Sequence, residues 1–181
     1  MRIIAGKYKH RRFDVPHTFK ARPTTDFAKE GLFNILENVY VDFDEQPRAL
    51  DLFAGTGSIS LELLSRGCGQ VVSVEKDFKH WQFLQKVARE LGDSNWKTLH
   101  ADVFKAIPRM EHFDLVFADP PYALENLADI PDQVFANETL LNEGGLLVLE
   151  HGKAHDFSGH ALFIDHRTYG SVNFSFFRKS R

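Results

Sequence analysis

From residue 49 to about residue 150 the chain repeats one pattern, and few architectures accept it: a short apolar run, a turn, then a stretch with helical spacing. Residues 49–53, 71–75, 97–99, 115–118 and 145–150 read as strands. Residues 58–65, 77–91 and 131–141 read as helices, the first closed by Gly67 and the second by Gly92. Phe78, Trp81, Leu84, Ala88 and Leu91 form the expected inward stripe of the second. Strands that alternate with helices predict an α/β fold with a mostly parallel, doubly wound sheet, because each crossover lays a helix over one face. Two later runs, 160–167 and 172–177, flank Tyr169-Gly170-Ser171 and predict an antiparallel hairpin at the sheet edge.

The segment before this repeat is different. Ile3-Ile4-Ala5 ends at Gly6, and Phe13-Asp14-Val15 alternates before Pro16, which predicts a small β ribbon. With Thr24 or Thr25 as N-cap, Ala28, Leu32, Ile35, Leu36 and Val39 then keep helical spacing. A chain of 181 residues, 43% hydrophobic, is long enough for one well-buried domain and too short for two of ordinary size. The expected division is a basic extension over residues 1–22 and a main domain over 23–181. Cys68 is the single cysteine, which excludes an internal disulfide and a cysteine-rich zinc cluster and fits a reducing cytoplasm. Nothing near Met1 has a signal-peptide pattern, and no apolar run approaches the ~20 residues that span a bilayer.

The net charge of −3 hides an uneven distribution. Residues 1–22 carry Arg2, Lys7, Lys9, Arg11, Arg12, Lys20 and Arg22 against Asp14 alone, so a basic arm sits on an acidic body. Such an arm attracts a polyanion locally, and it is equally compatible with an ordinary solvated hairpin.

Asp51-Leu52-Phe53-Ala54-Gly55-Thr56-Gly57 occupies the end of the first strand and the turn into the first helix, where open α/β sheets bind ligands. Gly55 and Gly57 lack β-carbons, so the backbone can approach a ligand and take dihedrals closed to other residues. Glu75 follows at the end of the second strand, placed to accept from both hydroxyls of a ribose. These features also suit NAD, but three details favour S-adenosylmethionine. Asp51 would repel a pyrophosphate and attract an ammonium; Ser60 stands where a dinucleotide fingerprint has its third glycine; Asp102 follows the third strand, where it can fix an adenine amino group. Phe53 in the turn and Val103 beside Asp102 complete the expected cofactor contacts.

Asp119-Pro120-Pro121-Tyr122 follows the apolar run 115–118 and suggests methylation of an amino group. An exocyclic amine is a poor nucleophile because its lone pair is delocalised. The Asp119 carboxylate and Pro120 carbonyl can accept its two hydrogens and turn the lone pair toward a methyl group, with Pro120 and Pro121 fixing the acceptors and Tyr122 stacking on the base. Asp119 as proton acceptor is an equal alternative. A metal is not expected: His151 and His155 have i, i+4 spacing, but Gly152 lies between them and no glutamate follows the first.

These segments together resemble the RsmD-type methyltransferases that modify guanine N2 in small-subunit (16S) ribosomal RNA. The resemblance rests on Arg2-Ile3-Ile4-Ala5-Gly6-Lys7, on Arg22-Pro23-Thr24-Thr25-Asp26 followed by Glu30 and Leu32-Phe33-Asn34-Ile35-Leu36, and on Asp51 through Gly57 continuing into Glu62 and Ser65-Arg66-Gly67. Asp119 through Tyr122 and Tyr169-Gly170 complete it. It implies a Rossmann-like class I methyltransferase sheet of seven strands with the last antiparallel, S-adenosylmethionine at Asp51 to Gly57, Glu75 and Asp102, and catalysis at Asp119 to Tyr122. It also makes Lys7, Lys9, Arg11, Arg12 and Arg22 expected RNA contacts of a monomer acting on 16S ribosomal RNA in a small-subunit particle. Phe27 and Lys29 depart from the family, which usually has arginines there, as does His10, where glycine is common. A DNA adenine-N6 or protein glutamine-N5 methyltransferase, or a silent RNA-binding scaffold of the same fold, are the alternatives.

Overall fold

The computed structural model describes residues 1–19 and 24–180, and it is built on one seven-stranded sheet. The strands are β1 (Arg48–Leu52), β2 (Gln70–Glu75), β3 (Trp96–His100), β4 (Phe113–Ala118), β5 (Leu141–His151), β6 (Phe163–Tyr169) and β7 (Val172–Arg178). Their order is β3-β2-β1-β4-β5-β7-β6. The first five run parallel, and β7 is antiparallel to both β5 and β6. The order reverses between β1 and β4, and the helices leaving these strands diverge there. A crevice therefore opens at their carboxyl ends.

Among the described residues five α-helices cover the sheet: α1 (Asp26–Ile35), α2 (Ser58–Arg66), α3 (Phe78–Leu91), α4 (Val103–Ala106) and α5 (Ile130–Ala136). Side chains alternate along each strand, so the sheet divides the interior into two cores. Ala49, Leu115, Phe117, Leu146 and Val148 pack with α1, α2 and α3. Leu50, Leu52, Val116, Leu147 and Leu149 pack on the other face with α4 and α5. Burial on both faces is why the central strands read as unbroken apolar runs.

Several sequence expectations change. The helix expected over 131–141 ends at Ala136, because Asn137 donates its amide to the carbonyls of Ile107 and Met110, both at 2.8 Å, and accepts from Thr139. Leu141 instead begins β5. The stripe expected on α3 is rotated: Phe83, Leu84, Val87 and Leu91 are buried, while Phe78 is 52% exposed. Phe78 and Trp81 pack with His100 of β3. Beyond α1 the chain widens into a π-helical turn, Leu36–Tyr40, which swings Val39 out to solvent and sends the Tyr40 hydroxyl to Asp165 at 2.7 Å.

The amino-terminal ribbon is reduced to one antiparallel bridge, Arg2 with Arg12, and its Ile3 and Phe13 enter the α1–α2 core. It is docked through Glu62 of α2, whose carboxylate accepts from Ile4 N (2.8 Å), Ala5 N (3.0 Å), Arg66 Nε (2.9 Å) and Lys29 Nζ (3.2 Å). Lys29 is fully buried and also donates to the Arg2 carbonyl. Position 29 is thus a structural one. His10 adopts a left-handed φ of 73°, a conformation that favours glycine over a residue with a β-carbon.

Candidate active site

The crevice between β1 and β4 opens into a cavity of about 1280 Å³. Sites for one small ligand span roughly 300–1,000 Å³, so this one has room for a cofactor and a flat substrate together. Asp51, Phe53, Gly55, Glu75, Asp102, Val103, Asp119, Pro120, Pro121 and Tyr122 all line it. Gly57 is not among the lining residues. It caps α2 at φ 86°, where a β-carbon would lie 2.6 Å from Leu84.

Asp51 is buried at the end of β1, and its surroundings are directional. Trp96 Nε1 can only donate, and it donates to Ser73 Oγ at 2.8 Å. Ser73 then passes its own hydrogen to Ser60 Oγ (2.5 Å), and Ser60 donates to Asp51 Oδ2 at 2.6 Å. This explains serine at position 60. Even so, burial pushes the Asp51 carboxyl up to about 7, with the Glu75 and Glu150 charges adding to the rise. A cationic ligand group beside it would relieve that cost.

Glu75 at the end of β2 is already oriented: Gly55 N–H donates to Oε2 (2.8 Å) and Asp77 N–H to Oε1 (3.1 Å). Each oxygen can accept one more hydrogen bond, enough for two hydroxyls. Asp102 caps α4 by accepting from Phe104 N and Lys105 N, and Lys76 lies 3.3 Å from its other oxygen. Phe53 holds φ 59°, a left-handed conformation unusual for an aromatic residue.

The tetrapeptide leaves β4 beside β1 and β5. Burial raises Asp119 well above the ordinary carboxylate range, and Glu150 and then Asp51 raise it further. Glu150 is the residue that sequence reasoning missed. Ala118 pairs with Leu149, so Asp119 lies next to Glu150, and both project to the same side of the sheet as Asp51. Glu150 is buried and accepts from the Tyr122 hydroxyl at 2.9 Å. A signal existed: a carboxylate directly after Leu146-Leu147-Val148-Leu149 repeats the relation of Asp119 to its own strand. The outer wall comes from Phe27, Tyr169 and Gly170, with Phe27 65% exposed and edge-on to Tyr169.

The basic residues are spread out. Lys7 pairs with Asp93 at 3.1 Å and Arg11 reaches the Glu90 carbonyl at 3.5 Å, at the amino end of β3 and so away from the cavity. Lys9 is exposed, and Arg12 bridges Arg2 nearer α1. Arg22 lies outside the described residues, as does Pro23. His151 is buried against Ser175 Oγ (2.7 Å), with His155 edge-on to its ring. Among the described residues no helix is long and apolar enough to cross a membrane.

A family model described as conserved hypothetical protein 95 matches residues 1–178. The chain belongs to this family, the RsmD family. One RsmD relative, the ribosomal RNA small subunit methyltransferase D of Haemophilus influenzae, is 34% identical over 84% of this chain and 79% of its own length. Its namesake from Buchnera aphidicola (strain Bp) is 29% identical over 78% of this chain and 71% of that one. Among solved structures, a hypothetical protein from Thermus thermophilus superimposes with a TM-score of 0.84 at 30% identity, covering 98% of both chains. TrmN from Thermus thermophilus shares the fold at a TM-score of 0.64 and 23% identity, over 84% of this RsmD-family chain and 48% of that one. The fold is the Rossmann-like one of methyltransferases.

Proposed function

We propose that this protein transfers a methyl group from S-adenosylmethionine to the exocyclic N2 amine of a guanine in 16S ribosomal RNA. One observation carries the reading: the Asp-Pro-Pro-Tyr loop and the acidic, glycine-containing turn open into a single cavity large enough for both reactants. The relatives' names supply the substrate class. The cofactor supplies an electrophilic methyl group on a sulfonium when bound. Asp51 faces its ammonium, Glu75 accepts from its ribose, and Asp102 and Val103 flank its adenine. Asp119 and the Pro120 carbonyl accept the amine hydrogens, Pro121 stiffens the loop, and Tyr122 stacks on the base. A paired guanine presents N2 in the minor groove, so the target base is flipped out or unpaired before it enters. Lys7, Lys9, Arg11, Arg12 and Arg22 contact RNA phosphates in the cytoplasm, where the small-subunit particle is the substrate of a monomeric enzyme.

The test is to incubate the protein with tritiated cofactor and unmodified ribosomal RNA, naked and in particles, and to digest the product to nucleosides. Labelled N2-methylguanosine is expected, and its absence from both substrates overturns the target. Asp119→Ala is expected to abolish transfer and keep cofactor affinity, whereas Glu75→Ala weakens cofactor binding first. Equal loss of cofactor binding in the two variants refutes the assigned roles.

A further inference from the structure

The pairing of Glu150 with Asp119 and Tyr122 has no place in the scheme above. Three carboxylates, Asp51, Asp119 and Glu150, stand at the ends of three adjacent parallel strands and project to one side of the sheet. All three line the cavity, and Asp51 and Glu150 are 1% and 4% exposed. Like charges this close and this dry do not all ionise at neutral pH. The register that pairs Ala118 with Leu149 sets Asp119 and Glu150 side by side on one face of the sheet, and two buried carboxyl groups so placed can share a hydrogen bond only with a proton between them. Glu150 Oε1 accepts from the Tyr122 hydroxyl. Gly152, two residues on, gives the Tyr122 ring its place, since a β-carbon there would lie 3.2 Å from Cδ2.

We propose that Glu150 is a positioning residue of this site, which shares one proton with Asp119 and clamps the Tyr122 hydroxyl, so that the loop offers an incoming amine one negative charge in one fixed orientation. The inference rests on the amine-methylation reading. The groups facing the pair are Asp51 from β1, with Glu75 of β2 acting on Asp51, and Tyr122 from the loop after β4. On β7 the residue opposite Glu150 is the uncharged Phe174. A second negative charge on the pair would be uncompensated and would push Asp119 and Glu150 apart. An alkaline loss of activity follows, as the shared proton leaves.

Glu150→Gln and Glu150→Leu separate this role from simple packing. The glutamine amide can donate to Asp119 and its carbonyl can accept from Tyr122, without titrating. Glu150→Gln is therefore expected to keep kcat within about tenfold of the wild type and to lack the alkaline limb of the pH profile. Glu150→Leu is expected to lower kcat by roughly 10²-fold or more, with cofactor Kd within about twofold. A glutamine variant as inactive as the leucine one, or one whose profile superimposes on the wild type, overturns the proposal. If Glu150→Leu does not fold, the glutamine profile decides alone. A readout that needs no substrate is the infrared band of a protonated carboxyl at about pH 8.5, above the value near 7 that burial gives Asp51. The band should be present in the wild type and be lost at a lower pH in Glu150→Gln, where burial remains but the second carboxyl is gone. Its absence from the wild type, or a band that is lost at the same pH in both proteins, refutes the shared proton. A wild type that shows the band but forms no N2-methylguanosine upholds the shared proton and fails the proposed substrate instead.

Discussion

Asp51→Asn should make the ligand-free protein more stable and a poorer binder of its cofactor, and the size of the gain should depend on pH. Burial, the largest cause, moves the Asp51 carboxyl from 3.8 to about 7. The folded chain thus holds this proton where the unfolded chain has released it. Between these two values the folded state binds more protons, so the stability due to this group falls as pH rises and levels off above about 7. A shift of about three pH units corresponds to roughly 4 kcal/mol as an upper figure. Asparagine has the same size and can accept from Ser60 without a charge to bury. The difference in stability between variant and wild type should therefore be near zero at about pH 4 and reach a few kcal/mol by about pH 8. Urea unfolding across that range measures it, and for a chain of this size each kcal/mol moves the melting temperature by about 2–4 °C. A difference that stays flat with pH, or a variant less stable than wild type at about pH 8, refutes the argument. Isothermal titration with S-adenosylmethionine then tests whether stability has been gained at the expense of binding.

Two further perturbations test the scaffold. Glu62→Ala leaves the buried Lys29 and Arg66 without their shared carboxylate and two backbone amides without an acceptor, so a loss of about 3–5 kcal/mol is expected in urea; a loss below about 1 kcal/mol would show that the network carries little. Gly31→Ala would ordinarily favour a helix by up to about 1 kcal/mol, but its β-carbon would lie 2.3 Å from the Tyr169 ring, so the expected result is a loss of about 1–3 kcal/mol that Tyr169→Ala in the same chain relieves.

The sheet was legible because its central strands are apolar on both faces, so runs such as 115–118 stand out from the polar turns that bound them, although without alternation they do not record register or face. Helix limits were less so. Asn137 ends α5 by reaching carbonyls of Ile107 and Met110, about thirty residues earlier, and no local pattern records such a partner. The α3 stripe was misplaced because Phe78 and Trp81 are as apolar as core residues yet pack against a histidine on the neighbouring edge strand. In the site, each residue that follows a strand was visible as a break from apolar to acidic. Glu150 fits that rule and was passed over because no familiar motif surrounds it. The direction of the hydrogen bonds from Trp96 through Ser73 and Ser60 to Asp51 depends on β2 and β3 lying side by side, which pairing alone reveals.

The place of β7 bears on how the molecule comes into being. It is the last of the seven strands to be synthesised, yet it lies between two that precede it. Until it emerges β6 has no neighbour, and Tyr169, whose hydroxyl reaches the Gly31 carbonyl 138 residues away, cannot be held against the amino-terminal helix. A nascent chain therefore keeps an open-sided crevice until translation has passed Arg178. Competence to grip a substrate arrives in one late step, and a premature stop within the final strand takes out an interior plank of the wall instead of trimming its rim.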